Sequence, residues 1–196
     1  RSVVNPGDEV LLVEPCFVCY RPIVELMHGV AVAIPTKEEN HFKLTAQELR
    51  EHITEKTKML ILPFPNNPTG GIMTREDLEQ IADVLRETNI VVLSDEIYSE
   101  QTYGRKHCSI AELEGMQERT ILVNGFSKSF AMTGWRLGFL AAPKPLCQQM
   151  LKIHQYAIMC APTVSQYAAI TALQTCDDEV QKMVHEYNVR RRMLVD

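Results

Sequence analysis

The sequence predicts an α/β protein of three layers, with helices on both faces of a mainly parallel, mixed sheet. Two observations predict it. Short apolar runs of strand length recur along the chain, and amphipathic helical patterns lie between most of them. Strands that are apolar on both faces belong to sheets covered by helices, and strand–helix alternation makes such sheets parallel. The first strand is read at residues 10–13, after the turn Asn5-Pro6-Gly7-Asp8. A short amphipathic segment follows at 21–28, then a second strand at 30–34. Residues 45–53 read as a helix because Thr45 is a fitting N-cap with Glu48 three residues on. A third strand spans 59–62. The strongest helical pattern is 74–87, where Thr74 and Asp77 approximate a capping box and Leu78, Ile81, Ala82 and Leu85 form one stripe. Further buried strands are read at 90–93, 120–123 and 137–141. Helical patterns close the chain at about 144–156, 164–173 and from 179 onward.

Composition narrows the function classes. With 196 residues the chain can bury one full core, and 45% hydrophobic with 23% charged residues is ordinary for a water-exposed globular domain. A net charge of −5 removes the electrostatic case for nucleic acid. The cluster Arg190-Arg191-Arg192 reads as a helix end complementing its dipole. No apolar run is long enough to span a membrane as a helix, so no membrane association is expected. Six cysteines without a secreted-domain spacing point to a reducing, cytoplasmic setting. Cys16 and Cys19 form a lone C-x-x-C with no second pair, so no metal site is expected. The chain opens without an initiator methionine and ends inside a helical pattern, and is read as an internal piece of a longer protein, truncated at both ends.

Chemistry-bearing residues follow the strands, where ligands sit in open parallel sheets. The stretch from Gly125 to Gly138 holds Lys128 after a small-residue turn and Arg136 further on, with glycines and hydroxyls between. The lysine can form an imine with an aldehyde, and the arginine's planar fork can clamp a phosphate. The strand at 90–93 runs into Ser94-Asp95-Glu96-Ile97-Tyr98. A carboxylate at that point can keep a pyridine nitrogen cationic, and Tyr98 can bond a phenolate oxygen on the same ring; taken alone, Asp95 or Glu96 reads rather as a helix N-cap or a solvated loop acid. The strand at 59–62 leads into a stiff loop containing Asn66-Asn67-Pro68-Thr69-Gly70. Asn67, held extended by the following proline, can donate to that phenolate oxygen. Phe17, after the first strand, can stack on a ring, though an ordinary core phenylalanine fits as well.

Taken together, the Asn-Asn-Pro-Thr-Gly loop, Ser94-Asp95-Glu96-Ile97-Tyr98 and the lysine-to-arginine stretch resemble the fold-type I aminotransferases of class I/II, in order and in spacing. The similarity covers essentially the whole chain. It implies pyridoxal 5′-phosphate as cofactor, with Lys128 as the Schiff-base lysine and Arg136 as a phosphate ligand. It further implies that Asp95 pairs with the pyridine nitrogen, that Tyr98 and Asn67 contact the phenolate oxygen, and that Phe17 stacks on the ring. The stretch from Arg119 to Lys128 is especially similar to the aspartate/aromatic branch. Well-studied aspartate enzymes carry a phosphate-binding serine three residues before the lysine; here that residue is Gly125, and Ser127 is the expected substitute. The family's glycine-rich phosphate loop is expected before Arg1, and its substrate-carboxylate arginine after Asp196. Each site in the family is shared by two subunits, which implies a homodimer for the full-length protein.

The resemblance implies a large cofactor-binding domain at residues 1–178 and, at 179–196, the start of a helix leading to a small domain. The implied reaction is ping-pong transfer of an amino group from an amino acid to a 2-oxo acid such as 2-oxoglutarate. The segment His154-Gln155-Tyr156 contains no arginine, which favours an aromatic or broad amino donor over a dedicated dicarboxylate. Two rivals share the features: a carbon–sulfur β-lyase of the same fold, and a non-catalytic sensor domain fused to a DNA-binding module. The 196 residues alone are expected to be inactive.

Overall fold

A computed structural model describes residues 1–195; Asp196, the last residue of the predicted interdomain helix, lies outside the described residues. Six strands, β1 (Glu9–Glu14), β2 (Val30–Pro35), β3 (Thr57–Leu62), β4 (Val91–Asp95), β5 (Thr120–Gly125) and β6 (Gly138–Ala141), form one sheet in the order β2-β1-β3-β4-β5-β6. The first five are parallel, and β6 runs antiparallel to β5. The helices are α1 (Tyr20–Leu26), α2 (Ala46–His52), α3 (Arg75–Arg86), α4 (Phe126–Ser129), α5 (Lys144–Ala157), α6 (Thr163–Thr175) and α7 (Asp177–Val195).

Alternate strand residues separate the two cores. Leu11, Val13, Leu60, Leu62 and Val92 pack with Leu49 of α2 and with Leu78, Ile81 and Leu85 of α3. Val10, Leu12, Met59, Ile61 and Ile121 turn to the other face, toward Val24 of α1 and Leu146 and Met150 of α5. This period of two makes a helix-covered sheet apolar on both faces. The chain passes from β1 to β2 on one side and then returns to β3 on the other. Connections leave the sheet in opposite directions at that point, opening a crevice beyond the carboxyl ends of β1 and β3.

Strand β6 departs from the expectation of a buried strand. Phe139 and Leu140 are 49% and 44% exposed. The cause is its place at the sheet edge, with β5 as its one neighbour. Apolar sequence identifies a strand but does not say whether it lies inside the sheet or at its border.

Both predicted capping boxes form. Thr45 accepts from the Glu48 N–H while Glu48 reaches back to Thr45, and Thr74 and Asp77 do the same. Asp77 also receives the Lys43 ammonium at 2.7 Å. Burial pushes the Asp77 carboxyl up, but the bonds from Lys43 and Thr74 outweigh it and hold it below the usual carboxylate range. A carboxylate depressed in the folded state adds stability above its unfolded value of about 3.9, and that contribution is lost as pH falls through the folded value. Asp77→Ala is therefore expected to cost about 1–2 kcal/mol at neutral pH. Urea unfolding should show the gap between variant and parent closing on acidification; a gap that is constant with pH would contradict this account of the pair.

Candidate active site

Four strand ends and one loop build the site. Beyond β1, Phe17 and Tyr20 stand in edge contact, with ring centres 6.1 Å apart. Phe17 is 45% exposed, so one face is not consumed by the core. Tyr20 opens α1 and donates its hydroxyl proton to Asp95 Oδ2 at 2.6 Å. Burial first, and then that bond to Asp95, holds the Tyr20 hydroxyl protonated far above the usual tyrosine range.

Beyond β3, the two adjacent asparagines divide the work. Asn66 is buried, and its Oδ1 accepts from the Thr69 N–H at 3.2 Å and the Thr69 hydroxyl at 3.0 Å. Its backbone closes the turn with Gly70 and Gly71. Asn67 is exposed and turns toward the crevice. The loop thus fixes one amide to present the other.

Beyond β4, Asp95 Oδ1 accepts the Ile97 N–H at 3.1 Å, while Oδ2 takes the Tyr20 hydroxyl. Glu96 turns away into the protein, bonded to Ser94, Ser109 and His107. The acidic pair is therefore split: Glu96 ties the following loop to the core, and Asp95 faces the crevice.

Beyond β5, α4 is a single turn that carries Lys128. Buried Phe126 and Met132 anchor it on either side, and Phe126 packs against Phe130 and Phe139. The Lys128 Nζ stands 5.7 Å from the centre of the Tyr98 ring. Sequence reading missed α4, because four residues show no helical period.

The loop after α4 forms one connected group. Thr133 donates its hydroxyl to the Ser127 carbonyl at 2.8 Å, and Arg136 Nη1 donates to the Thr133 carbonyl at 3.0 Å. Ala131 and Arg136 both have left-handed backbones, with φ of 52° and 53°. Such residues cost of order 1–3 kcal/mol each and persist where the surroundings over-determine them. Buried Ser165 of α6 supplies part of that constraint, donating to the Trp135 carbonyl at 2.8 Å.

Gly125 has a steric reason. It lies opposite Gly138 across β5 and β6. A Cβ there would sit 3.1 Å from Gly138 Cα and 3.2 Å from the Leu137 carbonyl oxygen. A serine at this position would push against the β6 backbone, and the serine that lines the pocket beside the lysine is Ser127.

Phe17, Asn67, Asp95, Tyr98, Ser127, Lys128 and Arg136 all line one pocket of about 330 Å³. Tyr20 and Thr133 complete its polar lining. Among the described residues, four larger hollows, of about 770, 620, 460 and 430 Å³, contain none of the seven. Convergent polar groups mark a binding site better than size does. The pocket offers an amine, a guanidinium, a carboxylate, a phenol, an amide and an aromatic face. That set can hold a phosphorylated aromatic ligand with a cationic nitrogen. Sequence reasoning does not single out Tyr20, although its place three residues after Phe17 is a usable signal. Ser165 had no signal, since its role depends on how α6 packs.

Among the described residues, no group of three or more His, Cys, Asp or Glu side chains is arranged to hold a metal ion. No helix among them is long and apolar enough to cross a membrane. Cys16 and Cys19 are both free thiols.

Along its whole length, residues 1–196, the chain matches the family model for aminotransferase class I and II, and it belongs to that family. It is 50% identical to the aspartate aminotransferase of Pyrococcus abyssi (strain GE5 / Orsay), over 98% of this chain and 50% of that protein. It is 49% identical to aromatic-amino-acid aminotransferase 2 of Thermococcus litoralis, over 98% of this chain and 50% of that protein. The crystal structure of the aromatic aminotransferase from Pyrococcus horikoshii OT3 superposes with a TM-score of 0.95 at 47% identity, over 98% of this chain and 52% of that one. The chain thus spans about half the length of the relatives it matches.

Proposed function

We propose that this chain is the cofactor-holding part of a pyridoxal 5′-phosphate-dependent aminotransferase. It transfers an amino group between an aromatic or broadly chosen amino acid and a 2-oxo acid such as 2-oxoglutarate. The observation that carries the reading is the convergence on one pocket of Asp95, from the end of β4, with Lys128 and Arg136, from the stretch between β5 and β6. The chemistry of the donor set fits this cofactor. Arg136 and Ser127 suit its phosphate, Asp95 its ring nitrogen, Asn67 and Tyr98 its phenolate oxygen, and Phe17 its ring face.

When bound, the cofactor supplies a carbonyl that captures amines and a cationic ring that draws electrons from the substrate's α-carbon. The protein's own residues do the rest. Lys128 would hold the group's carbonyl carbon and, as a free amine, would move the proton between the substrate's α-carbon and that carbonyl carbon. Asp95 would offer its carboxylate to the ring nitrogen. Arg136 and Ser127 would hold the phosphate in the pocket that Lys128 also lines.

Residues 1–178 are proposed as the large domain, and 179–196 as the start of a helix toward a small domain. A homodimer in the cytoplasm is proposed for the full-length protein. The exposed apolar side chains Tyr156, Ile158, Met159, Val164 and Tyr167 on and between α5 and α6 support a covered face there.

The test is an amino-donor panel with 2-oxoglutarate as acceptor, on protein of the relatives' length. Aromatic donors are expected to yield glutamate. Release of pyruvate and thiol from cystathionine, without amino transfer, would replace this reading with a β-lyase; cofactor binding without turnover would replace it with a sensor domain. Residues 1–196 alone are expected to show no transamination, and robust turnover by them would contradict the division of labour proposed here.

A further inference from the structure

We propose that Tyr20 is a positioning residue for Asp95, holding its carboxylate in place for the cofactor's ring nitrogen; this rests on the cofactor reading above. The bond crosses the sheet. Tyr20 lies beyond β1 and Asp95 at the end of β4, with β3 between them. At 2.6 Å it is the shorter of the two contacts that hold Asp95, the other being the Ile97 N–H at 3.1 Å. Each carboxylate oxygen therefore has one fixed donor, one from its own turn and one from a distant element. The Ile97 bond alone would leave the carboxylate free to swing about Oδ1.

Direction matters as much as distance. Tyr20 stays protonated, because burial and the Asp95 carboxylate both oppose loss of its proton. It can therefore act only as a donor toward Asp95, and a donor favours the charged form of a carboxylate. Among the described residues, no Lys, Arg or His side chain forms an ion pair with Asp95. Tyr20 also touches Phe17 edge-on, so one side chain braces both the ring-stacking face and the nitrogen partner.

A packing role alone makes a different prediction. Tyr20→Phe keeps the ring, its contact with Phe17 and its place in the apolar cluster, and removes only the hydroxyl. If Tyr20 merely fills space, that variant is silent. If it positions Asp95, losing a charge-assisted bond is expected to lower kcat about tenfold. The test uses full-length protein loaded with pyridoxal 5′-phosphate, in four forms: parent, Tyr20→Phe, Asp95→Ala and the double variant. Cofactor affinity, the visible spectrum as a function of pH, and kcat are measured for each.

The expected result is a Tyr20→Phe protein that still binds the cofactor, with a displaced spectral transition and the lowered kcat. In the Asp95→Ala background the second substitution should change kcat by less than about twofold, since its target is gone. A Tyr20→Phe protein with the parent's spectrum and kcat would overturn the inference while leaving the cofactor reading intact. So would an equal loss in the Asp95→Ala background. A parent that takes up no pyridoxal 5′-phosphate would overturn both.

Discussion

Lys128→Ala is expected to abolish the visible absorbance of bound pyridoxal 5′-phosphate and to lower amino transfer by on the order of 10⁴-fold. Two losses combine in that number: the covalent hold on the cofactor, and the base that moves the substrate proton. Among the described residues, no other lysine lines the pocket to take over either role. The fold should survive. The Lys128 ammonium makes a 5.7 Å approach to the Tyr98 ring, and the bond from Gln101 falls on the Lys128 carbonyl, which alanine keeps. Phe126 and Met132 still anchor the turn. A melting temperature close to the parent's, with absorbance and activity gone, is the expected combination. A variant that keeps the absorbance would remove Lys128 from the chemistry.

Asp95→Asn is expected to lower kcat by about 10²–10³-fold while the protein still takes up the cofactor. The amide nearly matches the carboxylate in shape, and its oxygen can still accept the Ile97 N–H. It loses the negative charge that favours a cationic ring. It also turns an NH₂ group toward the Tyr20 hydroxyl, where the parent has an acceptor at 2.6 Å. Because binding depends on several other residues, the loss should fall on kcat more than on cofactor affinity. Steady-state kinetics beside a cofactor titration separates the two. An unchanged kcat would mean that the ring nitrogen is not the partner of Asp95.

Much of the fold is legible in the sequence because its rules are local. The parallel strands show as apolar runs, since both faces are covered by helices. Thr45 with Glu48, and Thr74 with Asp77, declare two helix starts through capping chemistry that acts over three residues. What is not legible depends on distant partners. The exposure of β6 follows from its place at the edge of the sheet, and its own residues carry no mark of that. The one-turn helix under Lys128 is too short for a period.

The candidate site divides in the same way. Residues directly after strands could be named one by one, and the seven so named line a single pocket. Those that act through another residue could not be named. Tyr20 matters only because the topology brings β1 and β4 within reach, and Ser165 only because α6 lies against Trp135. Gly125 makes sense once Gly138 is seen across from it.

A covalent link between the cofactor and Lys128 is expected, and chemical trapping tests it most directly. The full-length protein is incubated with pyridoxal 5′-phosphate, reduced with borohydride and digested, and the peptides are weighed. The account predicts one reduced phosphopyridoxyl adduct, on the peptide spanning Lys128 and on that lysine itself. An adduct confined to other lysines, or no adduct from protein that transaminates, would contradict it.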